Sequence, residues 1–344
     1  MHAHSQNHRV AIFVDHSERH AADTCEPLAM AVRTREMRLE ALARGAYPGR
    51  RLAPGVLSGV ASVGFWDAAQ PQRWGLDWHR NEGIEITFLE RGLLSFGVGG
   101  TDCELKPGAL TITRPWQPHR VGDPLVRPSR LHWLILDVGV RRPNQPWCWP
   151  TWFMLAPKDL ARLTKLLRHN ENALWTADAD LRHCWQRIAY AVESDVRGSS
   201  HSLLRVQINE LFWLLGELLH RTSPKLDPTL TGSARTVALF LSELRHNPQQ
   251  RAAVWTLAEM AGRCGLGATQ FVHHCCELTN RTPAQYLMWC RLEAAGELLR
   301  NEPGVPITEV ALACGFASAQ YFATAFRHEK GVTPGHFRAT APRL

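Results

Sequence analysis

Residues 257–265 read LAEMAGRCG, and fifty positions later residues 307–315 read ITEVALACG. Both stretches place apolar residues, a small alanine, a cysteine and a final glycine at the same positions. After one inserted residue the correspondence continues, because Phe271 matches Phe322 and a Thr-Pro pair follows each phenylalanine at the same distance. Self-similarity at a fixed period indicates one structural unit that occurs twice.

Each copy has the signals of a helix-turn-helix. Thr256 and Glu259 form a capping-box pattern that predicts the start of a helix. Gly265 and Gly315 predict its end, since glycine adopts the left-handed conformation at low cost. A second helix then follows at residues 267–278 and again at 318–329. In a helix-turn-helix this second helix is the one that enters the major groove of DNA.

One amphipathic helix is predicted between the copies, at residues 283–301, begun by a proline and ended before Pro303-Gly304. At a rise of about 1.5 Å per residue it is about 28 Å long. Two recognition helices on such a spacer could address major-groove segments about 34 Å, or one turn of duplex, apart. The sequence therefore predicts a tandem DNA reader within one chain.

The stretch 253–338 closely resembles the DNA-binding domain of the AraC/XylS family of bacterial transcription regulators. The most specific motifs are PITEVALACGFAS at 306–318, Tyr321-Phe322, Phe326-Arg327 and Gly331-Val-Thr-Pro334. The resemblance implies double-stranded promoter DNA as a partner and is compatible with a contact to RNA polymerase. Where the family commonly has serine, arginine and further basic residues on the first recognition helix, this chain has Gly267, Ala268 and His273.

Polar and small residues on the outward faces of the recognition helices are the candidates for DNA contact. Glutamine can bond adenine bidentately, with roughly 1–3 kcal/mol of discrimination, and threonine or alanine can pack on a thymine methyl. The base-edge candidates are Thr269, Gln270, His273, Ala319, Gln320 and Thr324. Basic residues would instead position the domain on the backbone. The phosphate candidates are Arg281, Arg291, Arg327, Lys330 and Arg338.

Charge gives weak support to the prediction that this region binds DNA. The chain has a net charge of +7, but residues 234–344 carry eleven basic and eight acidic residues. A helical protein-interaction module therefore remains an alternative for this region, and salt-dependent DNA affinity would separate the two. The sequence HHCC at 273–276 suggests metal binding, but too few ligands converge on one helix face.

A β-rich region precedes the helices. Between residues 59 and 140, short alternating apolar runs such as 84–89 and 131–136 are separated by Gly and Pro, which predicts a small antiparallel sandwich or barrel. The motifs at 84–92, 105–110 and 115–119 resemble the cupin-like effector domain of many such regulators. The predicted fold class is α+β: a cupin-like β-barrel, a helical connector and an all-α double helix-turn-helix domain.

The β-rich region is the predicted sensor. Eight of the 13 tryptophans lie between residues 66 and 152, and tryptophan faces stack on sugar C–H groups, which favours a carbohydrate or related polar metabolite as effector. The candidate effector contacts are Trp78, Arg80, Glu85, Trp116 and His119. Catalytic cupins hold a metal with a His-x-His pair, a glutamate and a later histidine, whereas this chain has Ile84 where one histidine would fall. We therefore expect neither a metal nor a cofactor.

Four segments follow from these patterns: a mobile extension at 1–55, the effector domain at 56–155, a helical connector at 156–224 and the DNA-binding domain at 234–340. The apolar stripe on the helix at 202–220 is typical of a core face and also of a homodimer interface. The sequence has no apolar run that could span a membrane. Nine cysteines without a disulfide framework suit a reducing, cytoplasmic setting.

The function predicted from the sequence is an effector-responsive, DNA-binding transcription regulator with no catalytic residues. The alternative is a cupin-type metal-dependent enzyme with a helical appendage. Metal analysis combined with turnover screening would separate the two.

Overall fold

The computed structural model describes residues 25–99, 101–195 and 198–340. They form two compact units whose boundary in the sequence falls between Thr231 and Gly232, with Arg142–Asn144 assigned to the second unit. The five histidines among residues 1–24 lie outside the described residues.

Two sheets build the first unit. Its strands are β1 (Arg38–Ala43), β2 (Arg50–Arg51), β3 (Val60–Ala68), β4 (Leu76–His79), β5 (Ile84–Gly92), β6 (Leu94–Val98), β7 (Thr101–Leu105), β8 (Ala109–Thr113), β9 (His119–Val121), β10 (Ser129–Leu136) and β11 (Leu174–Thr176). The large sheet has the order β11-β8-β5-β10-β3-β1-β2, and the small sheet has the order β4-β9-β6-β7. The α+β class is confirmed, with the β domain built from two sheets instead of one closed barrel.

Alternation along the strands gives the large sheet two buried faces. On β5, Ile84, Ile86 and Phe88 join one apolar core, while Leu89 joins the other. Trp133 on β10 also faces the second core, which includes residues of the small sheet. Side chains of successive strand residues point to opposite faces, so the large sheet is the central layer of this unit.

Helices cover the outer face of the large sheet. They are α2 (Pro157–His169), α3 (Ala179–Glu193) and α4 (His201–Thr222). On α4, Leu204, Ile208, Leu211 and Leu215 are fully buried in the core that these helices share with the sheet. Burying each such side chain contributes roughly 1.5–3 kcal/mol. The segment predicted as a connector is therefore packed on the β domain as part of the same unit.

The chain between residues 25 and 55 is folded, which corrects the prediction of a mobile extension over 1–55. Helix α1 (Glu26–Arg33) buries Leu28 in the core between the sheets. Strand β1 pairs with β3 along its whole length, and Ala41 and Ala43 are buried in the same core. Only six residues long, β1 carries too weak a periodicity to be recognised in the sequence.

The second unit is helical. Its helices are α5 (Ser233–His246), α6 (Pro248–Ala252), α7 (Leu257–Arg263), α8 (Ala268–Thr279), α9 (Pro283–Asn301), α10 (Ile307–Ala313), α11 (Ala319–Lys330) and α12 (Pro334–Thr340). Helix α9 contacts α5 and α8 as well as α10, α11 and α12. Among the helices of the described residues in either unit, none has the length and hydropathy of a membrane span.

Candidate nucleic-acid interface and effector cavity

Helices α7 and α8 form the first helix-turn-helix. The Thr256 hydroxyl accepts from the backbone N–H of Glu259 at 3.2 Å, and the Glu259 carboxylate accepts from the backbone N–H of Thr256 at 2.7 Å. This capping box satisfies backbone donors that the first turn leaves without helical partners. Gly265 has a φ of +64° in the turn. Phe271 is fully buried, with its ring 5.9 Å from that of Phe240.

The outward face of α8 carries the predicted base-edge residues of the first unit. Thr269, Gln270 and His273 are all exposed. His273 lies beside Glu277, with Nε2 and Oε1 3.4 Å apart. An acidic side chain at this point lowers the positive potential of a helix that already lacks arginine and lysine.

Helices α10 and α11 repeat the arrangement. Gly315 has a φ of +84° in the turn, and the Ser318 hydroxyl accepts from the backbone N–H of Tyr321 at 3.2 Å. Phe322 and Phe326 are fully buried, with ring centroids 5.4 Å apart. The same order of turn glycine and buried phenylalanine thus produces the same local structure twice. The side-chain caps differ, because Thr256 caps α7 in the first copy and Ser318 caps α11 in the second.

The outward face of α11 differs in detail from the prediction. Gln320, Thr324 and Arg327 are exposed, whereas Ala319 is half-buried against the apolar core of this unit. The Thr324 hydroxyl donates to the Gln320 carbonyl at 3.1 Å, which leaves its methyl group as the outward apolar surface. Tyr321, 55% exposed, is a further candidate that the sequence pattern did not single out.

Two of the five predicted phosphate contacts have a structural role instead. Arg291 donates to the carbonyls of Arg251 and Ala253 at 3.0 and 2.8 Å. Arg338 donates to the carbonyl of Val305 at 2.7 Å. Both side chains are half-buried. Arg291 ties the end of α6 to α9 and Arg338 ties Val305 to α12, so the donors in these bonds are directed into the protein. Sequence alone could not distinguish a basic residue that fastens a loop from one that faces solvent.

The other basic residues remain available to a polyanion to different degrees. Lys330 forms an ion pair with Glu293 at 2.5 Å, whereas Arg327 is exposed near the end of α11. Arg281 lies over the ring of Trp289 at 5.1 Å, and Arg245 lies at the same distance from that ring. Arg245 was not among the predicted phosphate contacts, because its partner Trp289 is 44 residues away along the chain.

A small apolar cavity of about 30 Å³ lies in the first unit between the two sheets and is partly open to solvent. Its apolar walls include Leu28, Trp66, Trp133 and Ile135. Trp66 and Trp133 are neighbours with ring centroids 6.1 Å apart. The residues that line this cavity are Cys25, Leu28, Tyr47, Pro48, Ser62, Trp66, Leu76, His79, Glu85, Val121, Leu131, Trp133 and Ile135.

Of the five predicted effector contacts, Glu85 alone lines this cavity. Trp78 is 44% exposed and lies against Arg120, outside the cavity. Trp116 is buried elsewhere and donates its indole N–H to the Val140 carbonyl at 2.6 Å. Arg80 is half-buried and does not belong to the lining. These three side chains therefore lie outside this cavity. Alternation along β4 turns Trp78 outward while its neighbour His79 turns inward.

His119, the fifth candidate, lies directly behind the cavity wall. Its Nε2 is 2.5 Å from Oε2 of Glu85. His79 is its register partner across β4 and β9, and the two imidazole rings are 4.3 Å apart. The structure thus brings His79, Glu85 and His119 together as a buried cluster. His79 is not among the five predicted contacts, because only the strand pairing brings it beside His119.

Burial and mutual contact set the protonation of this cluster. Burial, reinforced by the neighbouring His119, lowers the pKa of His79 to about 4. Burial acts to raise the pKa of Glu85, but His119, His79 and Asn81 together hold that pKa below its ordinary value. His79 is therefore neutral and Glu85 is ionised near neutral pH.

Two helix-turn-helix units with outward second helices, joined through one continuous helix, define the second unit as a tandem helix-turn-helix module. In agreement with this, residues 260–340 match a family model described as a helix-turn-helix domain. The virulence regulon transcriptional activator VirF from Yersinia enterocolitica is 31% identical over 115 residues, which are 30% of this chain and 42% of that protein. The transcriptional activator RhaS from Escherichia fergusonii is 42% identical over 60 residues, 17% of this chain and 21% of that protein.

Among solved structures, a regulator from Chromobacterium violaceum described as containing an AraC-type DNA-binding domain shares 25% identity. That match covers 31% of this chain and 93% of the other, with a TM-score of 0.28. This chain spans about two fifths of the length of the first curated relatives that it matches. The family model and the two transcription activators confirm the resemblance of the C-terminal region to AraC-type regulators.

Proposed function

We propose that this protein is a transcription regulator in which the tandem helix-turn-helix module binds promoter DNA and the β domain binds a small-molecule effector. The observation that carries the proposal is the repetition of one helix-turn-helix, with exposed polar residues on both α8 and α11. A helical module that served only to pack would not need exposed polar faces on both α8 and α11.

Base reading is assigned to Thr269, Gln270 and His273 on α8 and to Gln320 and Thr324 on α11. Each glutamine offers a donor and an acceptor that match the major-groove edge of adenine. Arg281, Arg327 and Lys330 would contact phosphates and set the salt dependence of binding.

DNA binding is tested by selecting sites from genomic fragments with the full chain and measuring affinity as a function of salt. Gln320→Ala is expected to lower affinity for the selected site by about 1–3 kcal/mol and to relax specificity at one position. Gln186→Ala, an exposed glutamine of the first unit, is the matched control. Affinity that does not depend on salt or sequence would overturn the assignment.

Phosphate contact has its own signature. Arg327→Ala is expected to weaken binding to all sequences about equally and to reduce the salt slope by about 1. Arg35→Ala, an exposed arginine of the first unit, should leave the slope unchanged. An unchanged slope in the Arg327 variant would remove α11 from the phosphate-binding surface.

The effector is proposed to be a small molecule that widens this cavity as it binds, places apolar surface against Trp66 and Trp133 and directs a polar end toward Glu85 and His79. The C–H face of a sugar is one such surface, and a compact amphiphilic metabolite offers another. A ligand bound here would act by favouring one arrangement of the protein over another, since a ligand shifts an equilibrium only through differential affinity.

Effector binding is tested by calorimetry with a panel of sugars and small amphiphilic acids and alcohols. Trp66→Leu should weaken binding of any positive compound about tenfold or more, since it removes one wall of the cavity. Trp78→Leu, which alters a tryptophan outside the cavity, should not. Equal loss in both variants would place the effector elsewhere.

Homodimerisation is proposed through the outward face of α3 and α4. Tyr190 on α3 and Leu203, Val206 and Trp213 on α4 are 67%, 40%, 51% and 53% exposed, although α4 buries its other face in the core. Exposed large apolar side chains grouped on one surface are typical of interfaces. Trp213→Glu should shift the sedimentation coefficient toward the monomer, and Met154→Glu, which alters another exposed side chain, should not.

We further propose that the protein has no enzymatic activity and works in the cytoplasm, where promoter DNA and RNA polymerase are accessible. The tandem helix-turn-helix module supports this assignment. Turnover of a substrate by the metal-loaded full chain would instead favour the cupin-type enzyme.

A further inference from the structure

The buried cluster of His79, Glu85 and His119 has the donor set of a transition-metal site. Each residue offers one ligand atom, and the three atoms lie within 4.8 Å of one another. Two imidazoles and one carboxylate are ligands that Zn²⁺ and Fe²⁺ take in proteins. Mg²⁺ and Ca²⁺ instead require mainly oxygen ligands.

The hydrogen bonds around the cluster orient it for ligation. His79 Nδ1 lies 2.7 Å from the Asp77 carbonyl, and His119 Nδ1 lies 2.9 Å from the Gln117 carbonyl. Because a carbonyl can only accept, each Nδ1 carries a proton, which leaves Nε2 as the atom that can bind a metal. This outer hydrogen bond is the arrangement that fixes the tautomer of metal-ligating histidines. The 2.5 Å contact between His119 Nε2 and the Glu85 carboxylate requires a proton between these two atoms in the metal-free protein, and a metal ion would displace that proton.

The carboxylate is held in the same way. The side-chain amide of Asn81 donates to Glu85 Oε2 at 2.7 Å. Glu85 is buried and cannot turn to solvent. The β4-β9 pairing fixes the two strands that carry the histidines relative to each other.

We propose that His79, Glu85 and His119 bind one divalent first-row transition-metal ion in the β domain. The 2.5 Å contact between His119 Nε2 and Glu85 Oε2 would open to about 3.4 Å, the spacing of two ligands each about 2.1 Å from a tetrahedral ion. His79 and Glu85 border the cavity, which leaves the fourth coordination position open to a water or to a polar group of a ligand. Only the assignment of the fourth coordination position to a ligand rests on the proposed sensor function.

The experiment uses the full chain with His2, His4, His8, His16 and His20 replaced by alanine, which removes the histidines that precede the described residues. Metal-free protein is titrated with Co²⁺, Zn²⁺ and Mg²⁺ in the absence of DNA. One Co²⁺ per chain is expected, with the visible absorption of a four- or five-coordinate ion. Zn²⁺ should abolish that absorption, and Mg²⁺ should leave it unchanged.

Variants separate this site from adventitious binding. Glu85→Gln and His119→Gln should each weaken Co²⁺ binding by more than about 100-fold, and Asn81→Ala by about 10- to 100-fold, as for loss of an outer-shell hydrogen bond. His274→Ala is the control, since His273, His274 and Glu277 form a second but solvent-facing group of the same composition. Unchanged affinity in Glu85→Gln, or strong loss in His274→Ala, would overturn the proposal.

X-ray absorption of the zinc-loaded protein keeps the test decisive if the buried variants fail to fold. A shell with two imidazoles and a carboxylate is expected, and a sulfur-containing shell or the absence of stoichiometric zinc would refute the site. Failure of the protein to bind DNA would remove the proposed regulator function without changing the metal stoichiometry, so the two proposals fail separately.

Discussion

In the second helix-turn-helix, a methyl group added at Gly315 should destabilise the fold more than one added at Gly331. A Cβ built on Gly315 would lie 2.6 Å from Cα and 2.8 Å from the carbonyl oxygen of Ala252, at the end of α6. These are backbone atoms, so no side chain can rotate to make room. Gly331 also has a positive φ, +76°, but its Cβ would meet no atom within 4 Å.

The two glycines therefore separate backbone strain from steric overlap. A non-glycine residue in the left-handed region costs roughly 1–2 kcal/mol, partly offset by the lower chain entropy of the unfolded alanine variant. Gly331→Ala should cost about 1 kcal/mol. Gly315→Ala adds an overlap comparable to overpacking, which costs about 1–3 kcal/mol, for a total of about 2–4 kcal/mol.

Urea unfolding of the full chain gives the free energies, and amide hydrogen exchange of α10 and α11 shows where the stability is lost. Gly315→Ala should speed exchange in both helices and lower DNA affinity, because the angle between them must change. Gly331→Ala should affect mainly the end of α11. Free energies of unfolding within about 0.5 kcal/mol of each other would refute the argument from the Ala252 contact, since independent surface effects stay within that range.

Three further outcomes are expected. Phe322→Ala should destabilise the second unit by about 3–5 kcal/mol because it empties a fully buried site, whereas Tyr321→Ala, at an exposed neighbour, should change the urea midpoint little. Thr282→Ala removes the N-cap of α9 and should cost about 0.5–2 kcal/mol in the same assay. The hydrogen bond from His132 lowers the pKa of Glu90 from 4.5 to about 2, so ionised Glu90 contributes stability above pH 4.5 that is lost as the pH falls toward 2. Glu90→Gln should flatten the decline of stability measured across that pH range, and an unchanged decline would contradict this.

The helix-turn-helix part could be predicted from the sequence because its signals are local. Caps, turn glycines and the i, i+3, i+4 pattern lie within one or two helical turns, and the duplication repeats them. What the sequence did not reveal was which arginines face solvent. Arg291 and Arg327 are the same residue type, but only the packing of the end of α6 determines that Arg291 points inward.

The β domain was harder to predict from the sequence because its essential contacts join residues that are distant along the chain. His79 and His119 meet only through the β4-β9 pairing, and the four residues of β4 are too few for the sequence to show that Trp78 faces outward. The helices α2–α4 were taken for a connector, since an amphipathic helix packed on a sheet has the same periodicity as one that bridges domains.

Helix α9 imposes a torsional constraint on any operator of a regulator built in this way. It runs without interruption for 19 residues and packs against parts of both helix-turn-helix units, so the twist between their reading faces is set by the protein. Inserting one base pair between the two half-sites rotates the second by about 34° around the duplex. The chain would follow that rotation only by bending DNA or by releasing one helix, which makes operator spacing, as much as operator sequence, a determinant of promoter choice.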